Sequence, residues 1–159
     1  MKRYRIVLAY DGTRYAGYQL QENGVAVQQR LEEALAYVNR APVRVFGCSL
    51  TDAGVHARGF CAHVDLDVPI PPKNLVRAMN ARLPDDIRVM RAAFARPDFN
   101  ARNDAKGKEY RYFVYQADIL PPHLAPFWTF CHRPLDLAAM QQGEPRGAAG
   151  CPCSRRGEP

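Results

Sequence analysis

The stretch Leu50-Thr-Asp-Ala-Gly-Val-His-Ala57 sets one carboxylate, one imidazole and one glycine between apolar runs. An aspartate is ionised at neutral pH and attacks or stabilises an electron-poor centre without a helper base. Ala53 and Gly54 beside Asp52 carry almost no bulk, so a large ligand can approach it closely. The same residues also read as a turn capped by Asp52, because Thr-Asp before Gly is common there. His56 reads either as a phosphate contact or as an imidazole fixed by packing. A second chemical group lies in Lys108-Glu-Tyr-Arg-Tyr112. The Tyr110 phenol offers a flat face and a polar tip, although strand alternation by itself favours a core tyrosine. Arg14, Arg58, Arg102, Lys106, Lys108 and Arg111 flank these segments and suit phosphate contacts, each alone being also an ordinary solvated charge.

The chain of 159 residues is long enough for one domain with a real core. With 47% hydrophobic and 24% charged residues it reads as a soluble globular protein, and no apolar run approaches the length of a membrane span. Twenty-two Lys+Arg against 16 Asp+Glu leave a net charge of +6, which favours a polyanionic partner. Cys48, Cys61, Cys131, Cys151 and Cys153 form an odd set without CxxC spacing, so neither a disulfide framework nor a metal site is expected. Cys151-Pro-Cys153 reads as an incidental pair. Met1-Lys2-Arg3 leads straight into a strand pattern without the apolar run of a signal peptide, which points to the cytoplasm.

Elements that would position these groups follow from periodicity. Tyr4, Ile6, Leu8 and Tyr10 alternate as in a strand, which Asp11-Gly12-Thr13 breaks. Val27, Leu31, Ala34, Leu35 and Val38 have helical spacing, with Gln28, Arg30, Glu32 and Glu33 as a wet face, and Ala41-Pro42 ends that helix. Val43 to Phe46 and Phe60 to Leu66 read as strands, placing Asp52 in their connection. Pro71-Pro72 opens a second helix with Leu75, Val76, Met79 and Leu83 inward, which stops at Pro84. Ile87 to Phe94 is a fourth strand. The order β-α-β-β-α-β predicts an α+β, ferredoxin-like or RRM-like fold, an antiparallel sheet with its helices on one face. Glu109 to Tyr115 is expected to extend that sheet as a fifth strand. Pro134 to Met140 reads as the first turns of a helix, and Gln141 to Pro159, rich in Gly, Pro, Ala and Arg, reads as disorder.

Asp11 to Gln19, Val27-Gln28 with Leu31-Glu32 and Ala34-Leu35, Thr51 to Ala57, Asp98-Phe-Asn-Ala-Arg102 and Tyr110-Arg-Tyr112 occur in one order. Together they closely resemble the TruA family of tRNA pseudouridine synthases, from the first strand to about Met140. The resemblance implies isomerisation of uridine to pseudouridine in the tRNA anticodon stem-loop, without metal or cofactor. It makes Asp52 the nucleophile and Tyr110 the tyrosine that stacks on the target base and handles the C5 proton. It makes Arg14, Thr51, His56, Arg58, Arg102 and Arg111 substrate contacts, and Tyr18 an aromatic that stacks on RNA or packs in the core. A homodimer is also implied.

Two features depart from the family pattern. Leu50 stands where the family usually has an arginine that pairs with the aspartate and helps displace the nucleotide, and Phe60 replaces the usual glutamine. Family members also continue into a second, similar half, so residues 1–140 are expected to be the first half alone. The composition break after Gln142 matches what a shifted reading frame in a GC-rich gene would give. Three readings follow: a synthase, an RNA-binding remnant without turnover, and a ferredoxin-like domain that binds small molecules.

Overall fold

The computed structural model describes residues 1–22 and 24–143, apart from the side chains of residues 141–143. The chain divides into two compact units, Met1–Lys106 and the residues from Gly107 on. That division falls inside the stretch 1–140 read from sequence as one half. The expectations for residues 144–159, Cys151-Pro-Cys153 included, lie outside the described residues. No described helix is long and apolar enough to cross a membrane.

In the first unit, β1 (Lys2–Tyr10) buries Tyr4, Ile6, Leu8 and Tyr10 on one face, as its alternation predicts. It pairs antiparallel with β3 (Ala57–Leu66) on one side and β4 (Ile87–Phe94) on the other. The short β2 (Val45–Gly47) pairs with β3, giving the order β2-β3-β1-β4. With α1 (Val27–Asn39) and α2 (Pro72–Asn80) this is the expected α+β, ferredoxin-like arrangement. Leu31 and Leu35 of α1 and Leu75 and Met79 of α2 join the buried strand residues in one core, so both helices cover the same sheet face. Removing one such side chain, as in Leu35→Ala, costs about 2–5 kcal/mol. The register of β4 slips between Val7 and Leu8, leaving Met90 as the extra residue, 57% exposed.

The structure corrects the wet face expected on α1 at Gln28. Gln28 is only 4% exposed. Its amide donates to the Val45 carbonyl at 3.0 Å and to Glu32 at 2.9 Å, and Glu32 accepts the Val45 N–H at 3.0 Å. These two polar residues tie the helix to β2, where a backbone without a longer strand partner needs them. On the opposite face of β3, His63 accepts the Ala101 N–H at Nδ1 and stacks on Phe46. Arg3 forms a two-pronged pair with Asp65, directly across the β1–β3 ladder, and also donates to the Phe99 carbonyl. The segment 95–104 is fastened to the sheet by these bonds.

In the second unit the expected fifth strand is three residues, β5 (Val114–Gln116), and it does not extend the main sheet. It pairs in parallel with β6 (Thr129–Cys131), which the sequence reading missed. Trp128 packs against Phe113 and Tyr115 and gives this small sheet its contact partner. The helix anticipated near Met140 is α3 (Leu137–Gly143).

Candidate active site

Asp52 lies in the connection between β2 and β3, on a turn whose geometry its neighbours dictate. The Val55 N–H donates to the Asp52 carbonyl at 3.2 Å, and Gly54 at the third position has φ +78°, as a type II turn requires. The turn is closed by backbone, so the Asp52 carboxylate is not its cap. That side chain is exposed, and among the described residues it makes no hydrogen bond or ion pair.

What holds the turn is the loop after β1. Tyr18 N–H donates to the Thr51 carbonyl at 3.0 Å and Gly54 N–H to the Tyr15 carbonyl at 3.3 Å. The Tyr10 phenol, whose pKa burial pushes up to about 12, shares a hydrogen bond of 2.9 Å with the Thr51 hydroxyl. Two glycines allow the loops to touch. A Cβ on Gly12 would lie 2.0 Å from the Val55 oxygen, and one on Gly17, at φ +104°, 2.5 Å from the Thr51 oxygen. The loop is itself anchored by α1, since the Val27 and Gln28 amides donate to the Gly17 and Tyr18 carbonyls. Backbone carbonyls thus do for this helix what a capping side chain does elsewhere.

His56 fastens the other end of the turn. Its Nδ1 lies 3.2 Å from the Gly12 nitrogen and 3.0 Å from an Asp11 carboxylate oxygen. With a lone pair Nδ1 accepts from Gly12, and with a proton it donates to Asp11, so it serves one of the two at a time. Asp11 accepts the Thr13 hydroxyl and N–H, and the hydroxyl foremost holds its carboxyl below the usual range, with His56 adding to the effect.

The remaining sequence-predicted residues are placed differently. Tyr18 is 2% exposed, its ring 4.3 Å from that of Phe60, which is itself 6% exposed. Its stacking on RNA is therefore corrected: Tyr18 supports the Asp52 turn from the core. Among the described residues its buried hydroxyl has no hydrogen-bond partner, and Gly47 leaves room for both rings. Arg14 is turned to Asp86, to which Nη2 and Nε donate at 2.7 and 3.1 Å. Arg58, at the start of β3, and Arg102, on the fastened 95–104 segment, are exposed. Leu50 is 56% exposed beside Thr51. Tyr110, 60% exposed, and Arg111, paired with Glu109, belong to the second unit and lie before β5.

Asp86 is the supporting residue the sequence reading missed. Besides Arg14 it accepts the Tyr15 hydroxyl at 2.6 Å, and its carbonyl accepts the Asp11 N–H at 2.9 Å. In Pro84-Asp-Asp86 only a helix stop is visible, since the partners are some 70 residues away.

No protein-family model matches the chain. Curated relatives do. The tRNA pseudouridine synthase A of Exiguobacterium sibiricum is 47% identical over 118 residues, 74% of this chain and 47% of its own length. The protein of that name from Limosilactobacillus fermentum is 44% identical over 144 residues, 89% of this chain and 56% of its own. That from Staphylococcus aureus is 41% identical over 140 residues, 88% and 53%. The chain spans about half the length of these relatives. By sequence it belongs to the family of proteins named tRNA pseudouridine synthase A.

Proposed function

We propose that this chain isomerises uridine to pseudouridine in the tRNA anticodon stem-loop, with Asp52 as nucleophile. The observation that carries the reading is an exposed carboxylate, without a partner among the described residues, on a turn clamped by two glycine contacts, in a chain related to synthases of that name. Asp52 attacks or stabilises the electron-poor sugar-base centre as the C1′–N1 bond breaks. The base turns, C5 bonds to C1′ and displaces the Asp52 carboxylate with its electron pair, C5 gives up its proton and N1 gains one, so atoms and electrons balance without a cofactor. Tyr110 is assigned to stack on the base and handle the C5 proton. Thr51, His56, Arg58, Arg102 and Arg111 are assigned to contact RNA, with Arg14 joining them through or beside its Asp86 pair. The cytoplasm and a homodimeric assembly complete the reading.

Mapping pseudouridine in tRNA by carbodiimide adducts and reverse-transcription stops tests it. Stops confined to the anticodon stem-loop and absent with Asp52→Asn are expected; none with folded wild-type protein, or stops unaffected by Asp52→Asn, would overturn it.

A second reading, tRNA binding without turnover, is favoured by Leu50. Its exposed apolar side chain cannot pair with Asp52 or displace a nucleotide as the arginine of the resemblance would. Retained tRNA binding with no modified uridine is the result this reading expects.

A further inference from the structure

The helix side of the first unit carries a groove that the reading above does not use. It runs in two stretches that share Tyr37 and Arg82. One is lined by Arg14 and Arg30, and the other has an alanine floor, Ala78 included, with Arg40 on its rim. The charges there are not balanced. Asp86 pairs with Arg14 at 2.7 Å and Glu33 with Arg30 at 2.8 Å. Arg40 and Arg82 have no carboxylate partner among the described residues. The Arg82 guanidinium instead lies 3.3 Å from the centroid of the Tyr37 ring, which is 64% exposed. Stacking on a ring fixes a guanidinium while leaving its N–H fork for an anion. Arg40 sits at the C-terminal end of α1 in the left-handed conformation, φ +59°, and lines the groove.

The groove is continuous with the Asp52 turn through one segment. Arg14 and Tyr15 line it, while the Tyr15 carbonyl accepts the Gly54 N–H.

We propose that the α1–α2 groove is a second RNA-contacting surface, in which Arg40 and Arg82 take backbone phosphates of the tRNA whose uridine reaches Asp52. This rests on the tRNA reading. RNA is favoured over an acidic protein because Arg40 and Arg82, without a carboxylate partner among the described residues, lie beside the exposed Tyr37 ring, and because the loop that lines the groove also holds the Asp52 turn.

The test is tRNA binding by fluorescence anisotropy across a salt series, with wild type, Arg40→Ala/Arg82→Ala and Arg82→Lys, each checked for folding by thermal melting. The double variant is expected to bind roughly tenfold more weakly at low salt and to lower the log–log salt slope by roughly 1 to 2. Arg82→Lys keeps most of the slope. A folded double variant with the affinity and slope of wild type would overturn the proposal. So would unchanged RNA binding with a shift in sedimentation, which would assign the groove to a second copy. Loss of slope in the double variant, in a wild type that modifies no uridine, supports the groove and overturns the catalytic reading alone.

Discussion

Gly17→Ala isolates the contact that positions the candidate nucleophile. The added Cβ would lie 2.5 Å from the Thr51 oxygen and 3.3 Å from the Asp52 carbonyl carbon, both backbone atoms that cannot swing aside. Comfortable non-bonded separation is about 3.5 Å, so the loops must part by about 1 Å. Overpacking of this kind costs about 1–3 kcal/mol. The φ of +104° adds to it, by about 1–2 kcal/mol for an L side chain held in a left-handed conformation. Together the loss is about 2–5 kcal/mol, read as a lowered urea midpoint at constant slope. A 1 Å displacement of Asp52 costs on the order of a hundredfold in rate. Gly54→Ala has open space but φ +78° and shows only the conformational cost. Gly59→Ala has open space and no positive φ and shows none. A Gly17→Ala protein indistinguishable from Gly59→Ala in urea and in turnover would refute the claim that the loop after β1 sets the Asp52 turn.

Four further outcomes are expected. Tyr18→Phe removes a buried hydroxyl that has no partner among the described residues, so stability is unchanged or rises by up to about 1 kcal/mol; a loss above that in urea would show the hydroxyl to be bonded. Burial, with the Arg3 charge adding to it, holds the His63 pKa below 6.5. The unfolded chain therefore takes up this proton first, and stability is full above about pH 6.5 and falls as pH drops below it. His63→Gln should flatten that slope, and a slope of the same size in the variant would contradict the assignment. Asp65, held low chiefly by its Arg3 hydrogen bond, acts in a separate window, its stabilisation being lost as pH falls below the ordinary carboxylate range near 3.8. Leu50→Arg, placing a cation beside Asp52, is expected to raise turnover or tighten tRNA binding; a change in neither would remove the significance given to Leu50.

Much of the first unit was legible because its residues follow local periodicities. The two-residue alternation of β1 and the apolar spacing of α1 from Val27 are each satisfied within a few turns of chain, and β4 falls at Ile87–Phe94 as read. Gln28 was misread because helical spacing says nothing about a strand backbone that lacks partners, and Val45 supplies that need 17 residues later. The segment 109–115 alternates like a strand, yet its aromatic residues Tyr110 and Tyr112 are exposed. Pairing depends on which partner is present, and β5 finds β6, whose three residues carry too little pattern to be noticed. Asp52 itself stood out by residue type and by family resemblance, whereas its support did not. Gly12 and Gly17 were visible only as turn breakers, and their close approach to Val55 and Thr51 exists only once the two loops meet.

The measurement that bears most directly on Asp52 is tritium release from tRNA labelled at uridine C5, with the 159-residue chain at saturating tRNA and Asp52→Asn alongside. Release by wild type that falls to background in Asp52→Asn is expected. Equal release from the two proteins, or none from a folded wild type that binds tRNA, would contradict the assignment of Asp52 as the nucleophile at work in this chain.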